Sequence, residues 1–244
     1  MTEFDTGSVF DADYLHFYAD RLNPATSDAD ADLAARMARL APGDEVLDLA
    51  CGHGRIANRL AARGCRVTGL DAVPLFLDRA RADAAALGVE VDYRQGDMRE
   101  LPWTERFDAV LSWFTAFGYF DDDGNRQVLA EVARALRPGG RFALEINHYP
   151  WLVRNFQPTM VTERDGDLLV DRNELDPLTN RITVRRTTIR GDERRDAEYF
   201  VRLVAFPELR SWLLAAGFRT VTAFGAEGAP LTTASPRLIA VAER

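Results

Sequence analysis

Three aspartates each stand at or near the end of an expected short strand early in the chain: Asp48 in VLDLACGHGR, Asp71 in GLDAVP and Asp97 in QGDMRELPW. Two glycines, Gly52 and Gly54, follow the first of them and lead straight into a helix start. A glycine at such a turn lets a ligand approach the backbone closely, and the free amides of the helix start favour a negative group. A carboxylate at the end of the second strand can accept both hydroxyls of a ribose. An acid in the third position can accept the exocyclic amine of adenine while the thioether of Met98 packs the ring. The chemistry indicated is recognition of an adenine nucleoside across a row of strand ends.

Two cofactors meet that description. GHGRIA satisfies the G-x-G-x-x-G/A dinucleotide pattern, and Asp71 serves a dinucleotide as well as it serves S-adenosylmethionine. Asp48 and Asp97 favour the second. An acid two residues before the turn is unusual at the end of a buried strand; it reads either as a capping acceptor for turn amides or as a partner for the cationic methionine amine.

The elements that must position these residues follow from periodicity. A helix over 28–40 repeats Leu33, Met37 and Leu40, and strands are expected at 44–49 and 66–70 with a helix over 56–63 between them. Pro74 opens a helix with Leu77, Ala80, Ala84 and Leu87 on its inward face and Gly88 as its stop. VEVDYRQ and FDAVLS follow, then a helix from Gly124 ended by RPGG, then GRFALEI as a fifth strand. Short, nearly continuous apolar strands alternating with helices indicate buried parallel strands with crossover helices, so the α/β fold class is a doubly wound sheet. From 158 to 204 the texture changes to alternating strand patterns broken by DG, DPLTN and RGD turns, an antiparallel β insertion of three or four strands. FPELRSWLLAAGF restores a helix, and FRTVTAF and PRLIAV supply closing strands. The expected organisation is a helical cap over 1–40, a core over 41–157 and 205–244, and the insertion over 158–204.

Composition narrows the function. The 244 residues carry a net charge of −8, which disfavours a nucleic-acid partner, and the one basic cluster, 181–195, reads as a solvated sheet face. No apolar run approaches the ~20 residues of a membrane span, and the acidic N-terminus lacks signal-peptide order, so a cytoplasmic protein is expected. The chain contains no lysine, which excludes a Schiff-base lysine and a Walker lysine. Cys51, Cys65 and the histidines at 16, 53 and 148 show no metal-ligand spacing, and no metal is expected.

Taken together, VLDLACGHGR, GLDAVPLFLDRAR, QGDMRELP, FDAVLSWFTAFGYF and LRPGGRFALEI resemble, in order and spacing, the class I S-adenosylmethionine-dependent methyltransferases. The resemblance covers residues 40 to 146 and the closing strands. It implies a seven-stranded, mostly parallel Rossmann-like sheet with its last strand antiparallel, and a cofactor across the carboxyl ends of strands one to four. It places Ala50 and Gly52 under the methionine part, Asp71 at the ribose, and Ala72 and Phe76 beside the adenine, with Asp97 and Met98 at its far edge. Ser112, Trp113 and Phe114 would close the methionine side. Arg55 is either a cofactor contact or a helix surface residue.

The N-terminal stripe of Phe10, Tyr14, Phe17 and Tyr18 is either core packing or a lid. In small-molecule members of the family a similar helix closes the pocket, and Tyr14 and Tyr18 would then donate to the cofactor carboxylate or to the acceptor. Phe117 or Phe114 either packs within its loop or lines the acceptor pocket and stabilises a cation there. His148, following the fifth strand, is either the best-placed candidate base or a capping or packing histidine. Methyl transfer from a sulfonium rests mainly on alignment and water exclusion. With one histidine so placed and no metal cluster, a small-molecule amine is favoured over a hydroxyl or carboxylate acceptor, as in the bacterial N-methyltransferases of antibiotic and amino-sugar pathways. A non-catalytic cofactor-binding module is the reading from another class. The amphipathic insertion is expected to serve as pocket wall and as a homo-oligomer contact.

Overall fold

The computed structural model describes residues 6–244, so the first five residues of the expected cap lie outside the described residues. Its main sheet joins β1 (Glu45–Leu49), β2 (Arg66–Asp71), β3 (Asp92–Gln95), β4 (Phe107–Ser112), β5 (Leu136–Asn147), β10 (Thr220–Phe224) and β11 (Arg237–Glu243). The order is β10-β11-β5-β4-β1-β2-β3. Only β11 runs against its neighbours β5 and β10; β1 through β5 pair in parallel. This is the doubly wound, Rossmann-like methyltransferase sheet that the motifs imply.

The strands carry apolar residues on both faces because both are covered. Along β1, Val46 packs with α2 (Pro24–Ala38), α3 (Ala57–Ala62) and α4 (Pro74–Leu87), through Ala34, Leu60 and Leu77. Leu47 and Leu49 point the other way, towards α5 (Asp122–Ala135) and α7 (Phe206–Ala215), through Leu129 and Leu209. Each such leucine, fully buried, contributes about 1.5–3 kcal/mol relative to exposure.

The helix starts differ from the periodicity where a cap sets them. α2 begins at Pro24 rather than at residue 28, because the Asn23 side chain accepts from the Thr26 amide and Pro24 takes the first helical position. α5 begins at Asp122, before Gly124, since Asp121 accepts from the Gly124 amide at 2.9 Å. A short α6 (Tyr149–Arg154) follows β5 where no helix was expected.

Residues 159–202 form a four-stranded antiparallel sheet, β6 (Thr159–Arg164), β7 (Asp167–Asp176), β8 (Arg181–Arg190) and β9 (Glu193–Arg202), ordered β6-β7-β8-β9. Arg202 anchors its last strand: Nε donates to Asp122 at 2.9 Å, Nη2 to Glu208 at 2.5 Å, and its amide to Gly118 O at 2.7 Å. The expectation of a solvated face for 181–195 needs correction. Arg185 is exposed, but Arg186 is buried and holds Asp171 through two bonds of 2.8 Å each, since β8 alternates and Arg186 falls on the inward side.

The N-terminal stripe becomes α1 (Ala12–Tyr18), capped by Asp11, whose carboxylate accepts from the amides of Asp13 and Tyr14. It is fastened to the small sheet by ion pairs, Arg190 to Asp13 at 2.8 Å and Arg195 to Asp11 at 2.7 Å, and His16 Nε2 lies 3.0 Å from Asp167. Among the described residues no helix is long and apolar enough to cross a membrane.

Candidate functional site

A cavity of about 370 Å³ opens where β1, β2 and β4 end and where the segment after β3 begins. Asp48, Ala50, Gly52 and Arg55 line it from the β1 turn, and Asp71, Ala72 and Phe76 from the β2 end. Asp97 and Met98 line it after β3, Trp113 and Phe114 after β4, and Tyr14 and Tyr18 from α1. Strand ends at the reversal of strand order are where open α/β sheets bind ligands.

Three expected site residues are elsewhere. Ser112 is fully buried beneath the cavity, on β4 itself. Phe117 is packed into the core with Val204 and Ile146, so its ring is not available to an acceptor. His148 is buried, and its Nδ1 lies 2.9 Å from the carbonyl of Ser235; it caps the loop before β11 rather than facing the cavity. The chain turns away into α6 immediately after β5, which carries His148 off the site.

The acids differ in environment. Asp48 is 2% exposed, and its carboxylate accepts from the Ala57 amide at 3.1 Å at the head of α3. Burial pushes its carboxyl up to about 7, against the pull of Arg55 and that amide. Both readings of Asp48 therefore coexist geometrically: it caps α3 and also lines the cavity. Asp71 accepts from the Gly52 amide at 2.7 Å and from the Val73 amide at 2.9 Å, tying the glycine turn to the end of β2. Burial raises its carboxyl, with those amides opposing. Asp97 is bound by Arg99, Nη2 to Oδ2 at 2.6 Å, which together with the Arg99 amide holds it below the usual carboxylate range despite partial burial.

Arg55 is no surface residue. It is 8% exposed, donates from Nη1 to Asp30 at 2.8 Å, and stands 5.0 Å from the centre of the Phe114 ring. Its Nη2 is buried without a partner, as is Trp113 Nε1. Such orphaned donors are rare and call for an acceptor. A Cβ built on Gly52, at φ +56, would meet only the edge of Phe76 at 4.0 Å. The cavity thus offers bare backbone, unspent donors and a ribose-competent carboxylate, which fits S-adenosylmethionine.

The opposite end is aromatic. Tyr14 stacks on Tyr18 with ring centres 4.5 Å apart, and Phe10 packs edge-on to Tyr14 at 5.3 Å and to Tyr119 at 5.5 Å. Tyr119 stacks on Tyr199 of the small sheet at 6.2 Å. Arg186 donates to the hydroxyl of Tyr199 at 3.1 Å and to that of Tyr18 at 3.4 Å. The small sheet thus touches the aromatic cluster through Tyr199 and Arg186, but none of its residues lines the cavity. Residue type gave no warning of Tyr199, Arg186 or Asp171, which lie in exposed-looking strands; strict alternation along β8 was the available signal. His53 also lines the cavity, with burial lowering its imidazole to about 4. Burial also drives the hydroxyls of Tyr14 and Tyr119 well above the ordinary phenol range.

Residues 46–140 match a family model described as a methyltransferase domain. A putative methyltransferase of Geobacillus sp. (strain WCH70) is 28% identical over 209 residues, covering 82% of this chain and 84% of the relative. An uncharacterized protein of Mycobacterium bovis is 38% identical over 102 residues, 41% of this chain and 36% of its own length. The chain thus spans about a third of the first curated relatives it matches. A solved S-adenosylmethionine-dependent methyltransferase from Clostridium acetobutylicum superposes with a TM-score of 0.80 at 19% identity, covering 95% of this chain and 97% of that one. The sugar N-methyltransferase KedS8 from Streptoalloteichus sp. gives 0.70 at 19% identity, covering 100% and 97%.

Proposed function

We propose that the chain is a class I S-adenosylmethionine-dependent methyltransferase that transfers a methyl group to the amine of a small molecule, a reading supported by the methyltransferase-domain match and the shared fold. The bound cofactor supplies a methyl already activated on a sulfonium, so the protein's task is alignment and exclusion of water. Asp71 would hold the ribose, Met98 and Phe76 the adenine, and Arg55 the carboxylate of the methionine part. The aromatic end, walled by α1, would receive the acceptor and limit its contact with water.

The observation that carries the amine is the weakness of the bases lining the acceptor end. Tyr14 and Tyr119 stay protonated, because burial holds their hydroxyls well above the ordinary phenol range. Such groups exchange hydrogen bonds but abstract protons poorly, whereas an amine that arrives neutral needs no strong base. The likeness to a sugar N-methyltransferase supports an amino-sugar acceptor. The test is calorimetry with S-adenosylhomocysteine and NADH, followed by turnover on panels of amino sugars, simple amines and phenols. Binding of the first ligand alone and methylated amine as product are expected. Turnover confined to hydroxyls would overturn the amine, and binding without any turnover would leave a cofactor-binding module.

The pH dependence of binding has a definite sign. Asp48 is mostly protonated at pH 6 and mostly ionised at pH 8, because its carboxyl titrates near 7. Its charge is the one placed for the cofactor's ammonium, so affinity for S-adenosylhomocysteine should rise by up to about tenfold over that range. The free protein behaves oppositely. Between roughly pH 4 and 7 the folded Asp48 holds a proton that the unfolded chain has lost, so its own contribution to stability falls as pH rises, while the lowered His53 imidazole contributes with the opposite sign. Asp48→Asn should flatten both slopes; calorimetry and thermal melts at pH 6, 7 and 8 check them.

A further inference from the structure

We infer that Arg237, on the last strand of the sheet, is a positioning residue for the amino-acid end of the cofactor, acting through Asp30 and Glu145 on Arg55 and Phe114. The inference rests on the reading of the cavity as an S-adenosylmethionine site. Arg55 and Phe114 line that cavity; Arg237, Asp30 and Glu145 do not.

Five residues from five parts of the chain close a ring behind the cavity. Arg55 Nη1 donates to Asp30 on α2 at 2.8 Å. Arg237 Nη1 stands 3.9 Å from the other oxygen of Asp30 and 3.4 Å from Oε2 of Glu145 on β5. That same Glu145 oxygen accepts from the Phe114 amide at 2.7 Å. Both guanidinium groups stand over the Phe114 ring, Arg55 at 5.0 Å and Arg237 at 5.5 Å from its centre.

The backbone at this point needs holding. Phe114 and Thr115 have φ of +62 and +58, the left-handed region that non-glycine residues adopt at a cost. Glu145 secures the turn twice, since its carbonyl also accepts from the Thr115 amide at 3.3 Å. Its carboxylate is 1% exposed, and an acid so buried stays charged only beside a cation. Burial already pushes its carboxyl up, and Arg237 is the first of the opposing influences. Without Arg237, Glu145 shifts towards the neutral form, Asp30 faces Arg55 alone, and Phe114 loses one of its two cations. The unpartnered Nη2 of Arg55 then loses the frame that aims it.

The test is Arg237→Gln and Arg237→Lys, with binding measured calorimetrically for two ligands. S-adenosylhomocysteine carries the amino-acid end; 5′-methylthioadenosine shares the adenosine and sulfur but lacks it. Arg237→Gln should weaken the first by about tenfold, the size of one lost charge-assisted hydrogen bond, and the second by less than about twofold. Arg237→Lys should recover most of the loss. Equal weakening of both ligands would make Arg237 merely structural and overturn the inference, as would unchanged S-adenosylhomocysteine binding or a lysine variant no better than glutamine. Failure of the wild-type protein to bind S-adenosylhomocysteine would instead sink the reading of the cavity itself.

Discussion

Asp71→Ala is expected to weaken S-adenosylhomocysteine binding by about a hundredfold and to lower the Tm by about 5–10 °C. The carboxylate does two jobs from one position. Oδ2 accepts from the Gly52 amide at 2.7 Å and Oδ1 from the Val73 amide at 2.9 Å, so removing it frees the glycine turn from β2 and strips the head of α4 of an acceptor. Hydrogen bonds to a charged acceptor contribute about 1.5–3 kcal/mol each, and part of that returns as water enters the widened cavity. The ribose contact proposed for the remaining lone pairs of the same oxygens would be lost with them. Asp71→Asn separates the two jobs: one oxygen survives to accept an amide, so its Tm should fall less than its affinity does. Calorimetry and thermal melts on both variants decide. A lower Tm with unaltered affinity would reduce Asp71 to a clamp between strand and turn.

What made Asp71 visible in the sequence is that its role is local. The acid, the apolar strand before it and the proline-led helix after it lie within a dozen residues, so motif and periodicity point together. The same holds for Gly52, Asp97 and the order of β1 through β5. His148 and Phe117 misled for the converse reason: each follows a strand by a few residues, but the backbone direction beyond the strand depends on what it packs against. After β5 the chain enters α6, and after Gly118 it docks on Arg202 of the small sheet. Those are long-range facts. Arg186 and Arg237 were hidden more deeply, because an arginine in a strand looks like surface until a buried acid from another element is opposite it. Asp171, 15 residues before Arg186, and Glu145, remote in sequence from Arg237, supply those partners. Sequence periodicity reports which face a residue takes, but not what waits there.

The two glycines of the turn should respond to the same substitution in opposite ways. In Gly54→Ala the new methyl would overlap the Tyr93 hydroxyl and lie 2.8 Å from Ala80 Cβ and 2.9 Å from Tyr93 Cζ, at φ +76. The hydroxyl cannot simply retreat, because it donates to Asn58 Oδ1 at 2.6 Å in a buried site. Overpacking of about 1–3 kcal/mol adds to about 1–2 kcal/mol for the left-handed backbone, and for a chain of this size that lowers the Tm by roughly 10 °C. Tyr93→Phe in the same chain should restore only part of it, since Ala80 and the ring remain in the way. In Gly52→Ala the methyl meets only Phe76 at 4.0 Å, so the Tm should fall by just the few degrees that φ +56 demands. Its methyl projects where the ligand's backbone contact belongs, and S-adenosylhomocysteine affinity should drop by tenfold or more, about the effect of one displaced close contact. Melts and calorimetry on the pair separate the two roles: binding lost at Gly54 with stability spared would reverse them. The dinucleotide-like spelling of this turn therefore has a divided physical origin. Gly54 is glycine because helix α4 and Tyr93 on β3 press against it, whereas at Gly52 only the φ of +56 calls for glycine and the protein leaves the space beside it open.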